Sequence, residues 1–96
     1  MQRCVIAGNW KMHRTRSEAL VLVDGILAGA GRLDPETELV VFPPFPSLAA
    51  TAERCRGTRI AVGAQNLHPA AEGAFTGEVS AGMILEAGGT QVLVGH

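Results

Sequence analysis

Apolar residues gather in four short runs, at positions 4–8, 39–42, 60–64 and 92–95. Each run is rich in Val, Ile or Leu and barely alternates with polar residues, which predicts strands buried on both faces. The stretches between them carry a helical period. The first opens on Thr15-Arg16-Ser17-Glu18, a capping-box pattern, and places Leu20, Val23 and Leu27 along one face before Gly29 and Gly31 supply stop signals. The second, at 46–56, begins with proline, which suits a first helical turn, and ends at Gly57. The third, at 80–87, has a serine cap and stops at Gly88-Gly89. Strands alternating with helices in this way predict an α/β fold in the order β-α-β-α-β-α-β, with parallel strands joined by right-handed crossovers.

Two features of this pattern stand out. The pattern ends on a strand, whereas a parallel sheet needs cover on both faces, and four unclosed strands leave two edges with unpaired backbone groups. Residues 1–96 therefore read as part of one domain, cut at the end of the fourth strand. The connection at 66–79 is also far longer than the two to six residues usual in α/β units. It holds Gly73-Ala74-Phe75-Thr76-Gly77-Glu78, and an aromatic side chain at a glycine-framed tip predicts a loop that docks against another surface.

Composition narrows the function classes. An apolar share of 47% and a formal net charge of −1 describe a globular core, with no basic field to attract nucleic acid or an anionic membrane. Trp10, Lys11 and His13 interrupt the first apolar run too early for a signal-peptide core, and no run approaches membrane-spanning length, so the expected location is the cytoplasm. Cys4 and Cys55 are expected as free thiols.

Charge also singles out one position. Lys11 is the sole lysine beside seven arginines, and it follows the sole tryptophan in Asn9-Trp10-Lys11, where the first strand ends. Lysine offers a compact, mobile ammonium where arginine offers a planar fork. If the strand's alternation continues, Asn9 and Lys11 face one side and Trp10 packs behind them. A neutral donor and a cation on one side suit a phosphate or an oxyanion, while in water the same residues would be an ordinary strand-end lysine with Asn9 capping a turn. His96 closes the fourth strand and Gln65-Asn66 follows the third, so chemically able residues share the carboxyl ends of the strands, where ligands bind in open α/β sheets and barrels alike.

Other candidates fall away. Gly29-Ala30-Gly31 follows a helix rather than a strand and reads as a helix stop, not a phosphate loop. His13 and His68 lack partners at ligand spacing, so no metal site is expected. Ser17, Ser47 and Ser80 read as helix-start residues, and no carboxylate falls at a strand end where a catalytic base belongs.

Four motifs in order, Ala7-Gly8-Asn9-Trp10-Lys11-Met12, Gly63-Ala64-Gln65-Asn66, Gly73-Ala74-Phe75-Thr76-Gly77-Glu78 and Val92-Leu93-Val94-Gly95-His96, resemble the triosephosphate isomerase family. The resemblance implies the first four strands and three helices of a (β/α)₈ barrel, whose full length is about 250 residues. It implies interconversion of dihydroxyacetone phosphate and glyceraldehyde 3-phosphate through an enediolate, without a cofactor. Lys11 would face the substrate's anionic groups and Asn9 would hydrogen-bond beside it. His96 would polarise the carbonyl and shuttle protons as a neutral imidazole, a property known of the family and not read from these residues. The family's Ser-Glu-Arg-Arg run, its glutamate base, its lid and its later phosphate loops lie downstream of position 96, so the segment alone should be inactive. The resemblance also implies a homodimer in which the long loop enters the neighbouring subunit, with Thr76 at the contact and Phe75 and Glu78 shaping the loop. His13 stands where the family commonly has asparagine, and Gln91 where an aromatic residue is frequent. Two other readings compete: a self-associating half-barrel that binds phosphates without catalysis, and a flavodoxin-like domain. The latter lacks the glycine-rich loop it needs after the first strand.

Overall fold

The computed structural model describes residues 4–96. Its elements run β1 (Val5–Asn9), α1 (Arg16–Ala30), β2 (Glu38–Phe42), α2 (Phe45–Cys55), β3 (Ile60–Ala64), α3 (Ala81–Ala87) and β4 (Gln91–Val92). The sheet order is β1-β2-β3-β4 with every pairing parallel, so consecutive strands are neighbours and each helix is a crossover. The parallel order is the one the alternation of strands and helices predicts, and it is the half-barrel that the family resemblance implies.

The helix ends follow local chemistry. Thr15 caps α1 in an extended conformation: its hydroxyl accepts from the Glu18 N–H at 3.4 Å, while the Glu18 carboxylate accepts from the Thr15 N–H at 2.9 Å. Helix α2 starts one residue earlier than expected, with Pro44 as its cap and Pro46 in its first turn. The Ser80 hydroxyl accepts from the Met83 N–H to begin α3, and Gly88 ends it at φ 101°, the left-handed region where glycine is favoured. A Cβ on Gly88 would also sit 2.7 Å from that of Ala52, so the same glycine lets α3 approach α2.

The core lies between the central strands and the helices, with Leu39, Val41, Ile60 and Val62 against Val23, Leu48 and Ile84. Strands β2 and β3 are buried along nearly their whole length. Strand β1 is not: Val5 is 54% and Ile6 48% exposed, contrary to the expectation of burial on both faces. Its position explains this, since among the described residues β1 lies at the sheet edge and pairs with β2 alone. Trp10 is buried and its N–H donates to the Phe42 carbonyl, carrying the β1–β2 ladder one residue past the strand.

The fourth strand is much shorter than the apolar run at 92–95 predicts. It pairs through Gln91 and Val92 opposite Gly63 and Ala64, and the Leu93 N–H donates to the Ala64 carbonyl at 2.9 Å. Strand β3 stops at Ala64, so the residues after Leu93 have no ladder to join; Val94 is 79% exposed and Gly95 takes φ 72°. Gly63 permits the crowding here, because a Cβ would meet the Phe42 ring at 2.5 Å and the Gln91 carbonyl at 2.8 Å.

Candidate active site at the carboxyl ends of the strands

Parallel strands deliver all their carboxyl ends to one side of the sheet, and there the candidate residues emerge. Asn9 is the last residue of β1. Lys11 follows Trp10, but the alternation expected to place Asn9 and Lys11 on one face does not reach it. Lys11 lies outside the strand at φ 55°, in the left-handed region. A non-glycine residue there costs about 1–2 kcal/mol, so the surrounding structure must hold it.

Two side-chain amides do so. The Asn9 Oδ1 accepts from the Lys11 N–H at 2.9 Å. From the other side, the Gln65 Nε2 donates to the Lys11 carbonyl at 2.8 Å and to the Phe42 carbonyl at 2.8 Å. Asn9 thus caps a turn, as the plainer sequence reading had it, and the residue is exposed. Arg14 is a second left-handed residue in the same connection, at φ 79°. Lys11 is exposed at this end of the sheet.

His96 shares this end of the sheet but not the same edge. It follows the left-handed Gly95 and is exposed, rather than closing a strand as the apolar run suggested. With β1 and β4 at opposite edges of the four strands, Asn9 and Lys11 lie on one flank and His96 on the other. Gln65, between them at the end of β3, reaches back toward β1. The sequence marked Gln65-Asn66 as a polar strand end; that Gln65 bonds to Lys11 could not be read from it, because the contact joins positions 54 apart.

The loop at 66–79 is closed at its neck. The His68 N–H donates to the Val79 carbonyl at 2.8 Å and His68 bridges to Ser80. Within the loop the Phe75 ring stacks on the His68 imidazole, with centroids 4.0 Å apart and planes at 29°. The His68 Nδ1 accepts from the Ala70 N–H, which assigns the ring proton of the neutral imidazole to Nε2. The Glu78 N–H donates to the Phe75 carbonyl, closing the turn in which Thr76 is exposed. Phe75 remains 48% exposed despite its stack.

The two thiols are free. Cys4 is exposed, just before β1, and Cys55 is buried at the end of α2, where burial pushes its thiol up. Among the described residues, no group of three His, Cys, Asp or Glu side chains is placed to hold a metal ion.

Both the sequence and the fold match known proteins. The family model described as triosephosphate isomerase matches residues 4–96. The triosephosphate isomerase of Chloroflexus aurantiacus is 50% identical over 92 residues, covering 96% of this chain and 36% of that protein. That of Caldanaerobacter subterraneus is 47% identical over 96 residues, covering 100% of this chain and 38% of its own. A crystal structure of triosephosphate isomerase from Bartonella henselae superposes with a TM-score of 0.88 at 39% identity, covering 99% of this chain and 38% of that one. The chain therefore spans less than two fifths of the length of these relatives. With its motifs, its parallel half-barrel and a match over residues 4–96, the chain belongs to the triosephosphate isomerase family.

Proposed function

We propose that these residues form the substrate-binding and electrophile part of an enzyme that interconverts dihydroxyacetone phosphate and glyceraldehyde 3-phosphate through an enediolate. The observation that carries the reading is the sharing of one sheet end by Lys11, in a backbone conformation held from both sides, and His96. Proton transfer between adjacent carbons builds negative charge on the substrate oxygens beside a phosphate that is already anionic. Fixed donors aimed at that charge lower the barrier. Lys11 brings a full positive charge to it and the Asn9 Nδ2 brings a neutral donor. His96 hydrogen-bonds the carbonyl oxygen and relays a proton between the two oxygens as the enediolate rearranges. The base that removes the carbon-bound proton comes from the part of the relatives outside residues 1–96, since among the described residues no carboxylate side chain lies at the carboxyl end of a strand, and Glu38 begins β2 at the opposite end.

The loop at 66–79 fits a second role in the same protein, an arm of a homodimer, with Thr76 touching the neighbour and Phe75 and Glu78 shaping the arm. Its closed neck and its half-exposed Phe75 support that reading. The expected location is the cytoplasm; among the described residues no helix is long and apolar enough to cross a membrane.

The test is steady-state kinetics on a full-length isomerase that carries residues 1–96 of this sequence. Lys11→Met should lower kcat/KM by at least about 10²-fold, the scale of losing one electrostatic stabiliser. His96→Gln should lower kcat by about 10²–10⁴-fold. Full turnover in both variants would reject the assignment.

A further inference from the structure

Lys11 reaches its working position through a backbone conformation that its own side chain disfavours, which makes the groups gripping that backbone part of the site. Its N–H is taken by the Asn9 Oδ1 at 2.9 Å. Its carbonyl is taken by the Gln65 Nε2 at 2.8 Å, and the same nitrogen donates to the Phe42 carbonyl at 2.8 Å. That Phe42 carbonyl also accepts the Trp10 N–H at 3.2 Å. Both amide protons of Gln65 are therefore spent on the backbone, one on the turn that carries the lysine and one on the end of β2. Three strand ends meet at one half-buried carboxamide.

We infer that Gln65 is a positioning residue: it holds the left-handed turn at Lys11 against the β2 end and so aims the ammonium at the substrate's phosphate. The assignment of the ammonium to that phosphate rests on the function proposed above; the grip on the backbone does not. The chemistry suits glutamine in particular. Two carbonyl acceptors need two donors on one nitrogen, which a carboxamide supplies and an ionised carboxylate does not. Asparagine carries the same group on an arm one methylene shorter, so it would reach one carbonyl at the expense of the other. An exposed lysine has many rotamers, and its effective reach depends on where its Cα is fixed. Loosening the turn would spread the ammonium over more positions and weaken its hold on the anion, while leaving its charge intact.

The experiment uses a full-length isomerase carrying residues 1–96, with Gln65→Met, which keeps length and removes both donors, and Gln65→Asn. Inorganic phosphate serves as a competitive inhibitor. In Gln65→Met, KM and the phosphate inhibition constant should rise together by about tenfold, with kcat changed less than about threefold, the pattern of lost ground-state binding. Gln65→Asn should fall between this and the parent. A residue that merely stabilised the fold would lower the melting temperature and leave phosphate affinity alone, so unchanged inhibition constants overturn the inference whatever happens to stability. Should Gln65→Met not fold, Gln65→Asn decides on the same measurement. A parent without isomerase turnover would reject the proposed function instead, which keeps the two failures apart.

Discussion

Cys55 and Cys4 show how far placement separates two residues of one type. Cys55 is 3% exposed at the end of α2, and burial, which disfavours the thiolate, raises its pKa from the ordinary thiol range; the nearby Arg54 opposes this only in part. Cys4 is exposed before β1. Timed alkylation with iodoacetamide at pH 8, followed by peptide mass spectrometry, should label Cys4 first and Cys55 only as the protein unfolds. Equal rates in the folded state would contradict the burial of Cys55. Arg59 was invisible to the sequence for a related reason. It sits beside β3, yet its guanidinium donates to the carbonyls of Ala30, Leu33, Asp34 and Thr37. It thereby caps the end of α1, whose own last turn has no basic residue. No pattern in the sequence pairs position 59 with positions 30–37, because the contact exists only once β3 lies beside β2. Arg59→Ala should destabilise the protein by about 2 kcal/mol, the scale of hydrogen bonds from a charged donor, as read by thermal denaturation. A variant as stable as the parent would show those carbonyls to be satisfied by water.

Among the elements, those governed by neighbours in sequence were legible and those governed by distant partners were not. The capping box at Thr15 and Glu18, the serine cap at Ser80 and the stop at Gly88 are local signals, and each marks the end it was expected to mark. The apolar run at 92–95 named a strand correctly but overstated its length, because how far it pairs depends on where β3 ends. Lys11 was picked out by composition, yet its alternation with Asn9 failed, since the left-handed turn is imposed by Asn9 and Gln65 acting together. Helix α1 carries a pH dependence that follows from its cap. The Glu18 carboxyl lies below the usual range, chiefly because it accepts the Thr15 N–H. A carboxyl depressed in the folded state gives stability above its unfolded pKa and loses it as pH falls through the folded one. Glu18→Ala should therefore cost stability at neutral pH and less in acid, where the parent's own carboxylate is protonated and no longer accepts from the Thr15 N–H as an anion. Urea titrations at pH 7 and pH 3 read this directly, and an equal cost at both would separate the cap from its partner. The loop at 66–79, with its half-exposed Phe75, is the dimer arm proposed above. Phe75→Asp in a full-length isomerase should shift the sedimentation coefficient toward a monomer, and an unchanged dimer would remove the loop from the interface.

At the scale of the whole chain, the sheet has one well-covered centre and two edges. Strand β1 leaves Val5 and Ile6 about half exposed, and the groove running past Ile6, Ile26 and Leu33 continues that apolar surface along α1. Full burial of a Val or Ile side chain is worth about 1.5–3 kcal/mol, so a few such residues left in water weigh heavily against the marginal stability of a small domain. In the relatives, more than three fifths of the chain lies beyond the stretch matched here, enough to supply further strands and helices. Residues 1–96 expressed alone should therefore find cover by association. Size-exclusion chromatography across a concentration series should show oligomers, with binding of a hydrophobic dye and no isomerase turnover at high protein concentration. A monomer that unfolds cooperatively would mean that β2, β3 and their helices suffice to carry an exposed β1. Turnover near that of a complete relative would place the proton-abstracting base inside this chain. The two outcomes are independent, since covering the apolar edge restores folding but supplies no carboxylate at the carboxyl end of a strand.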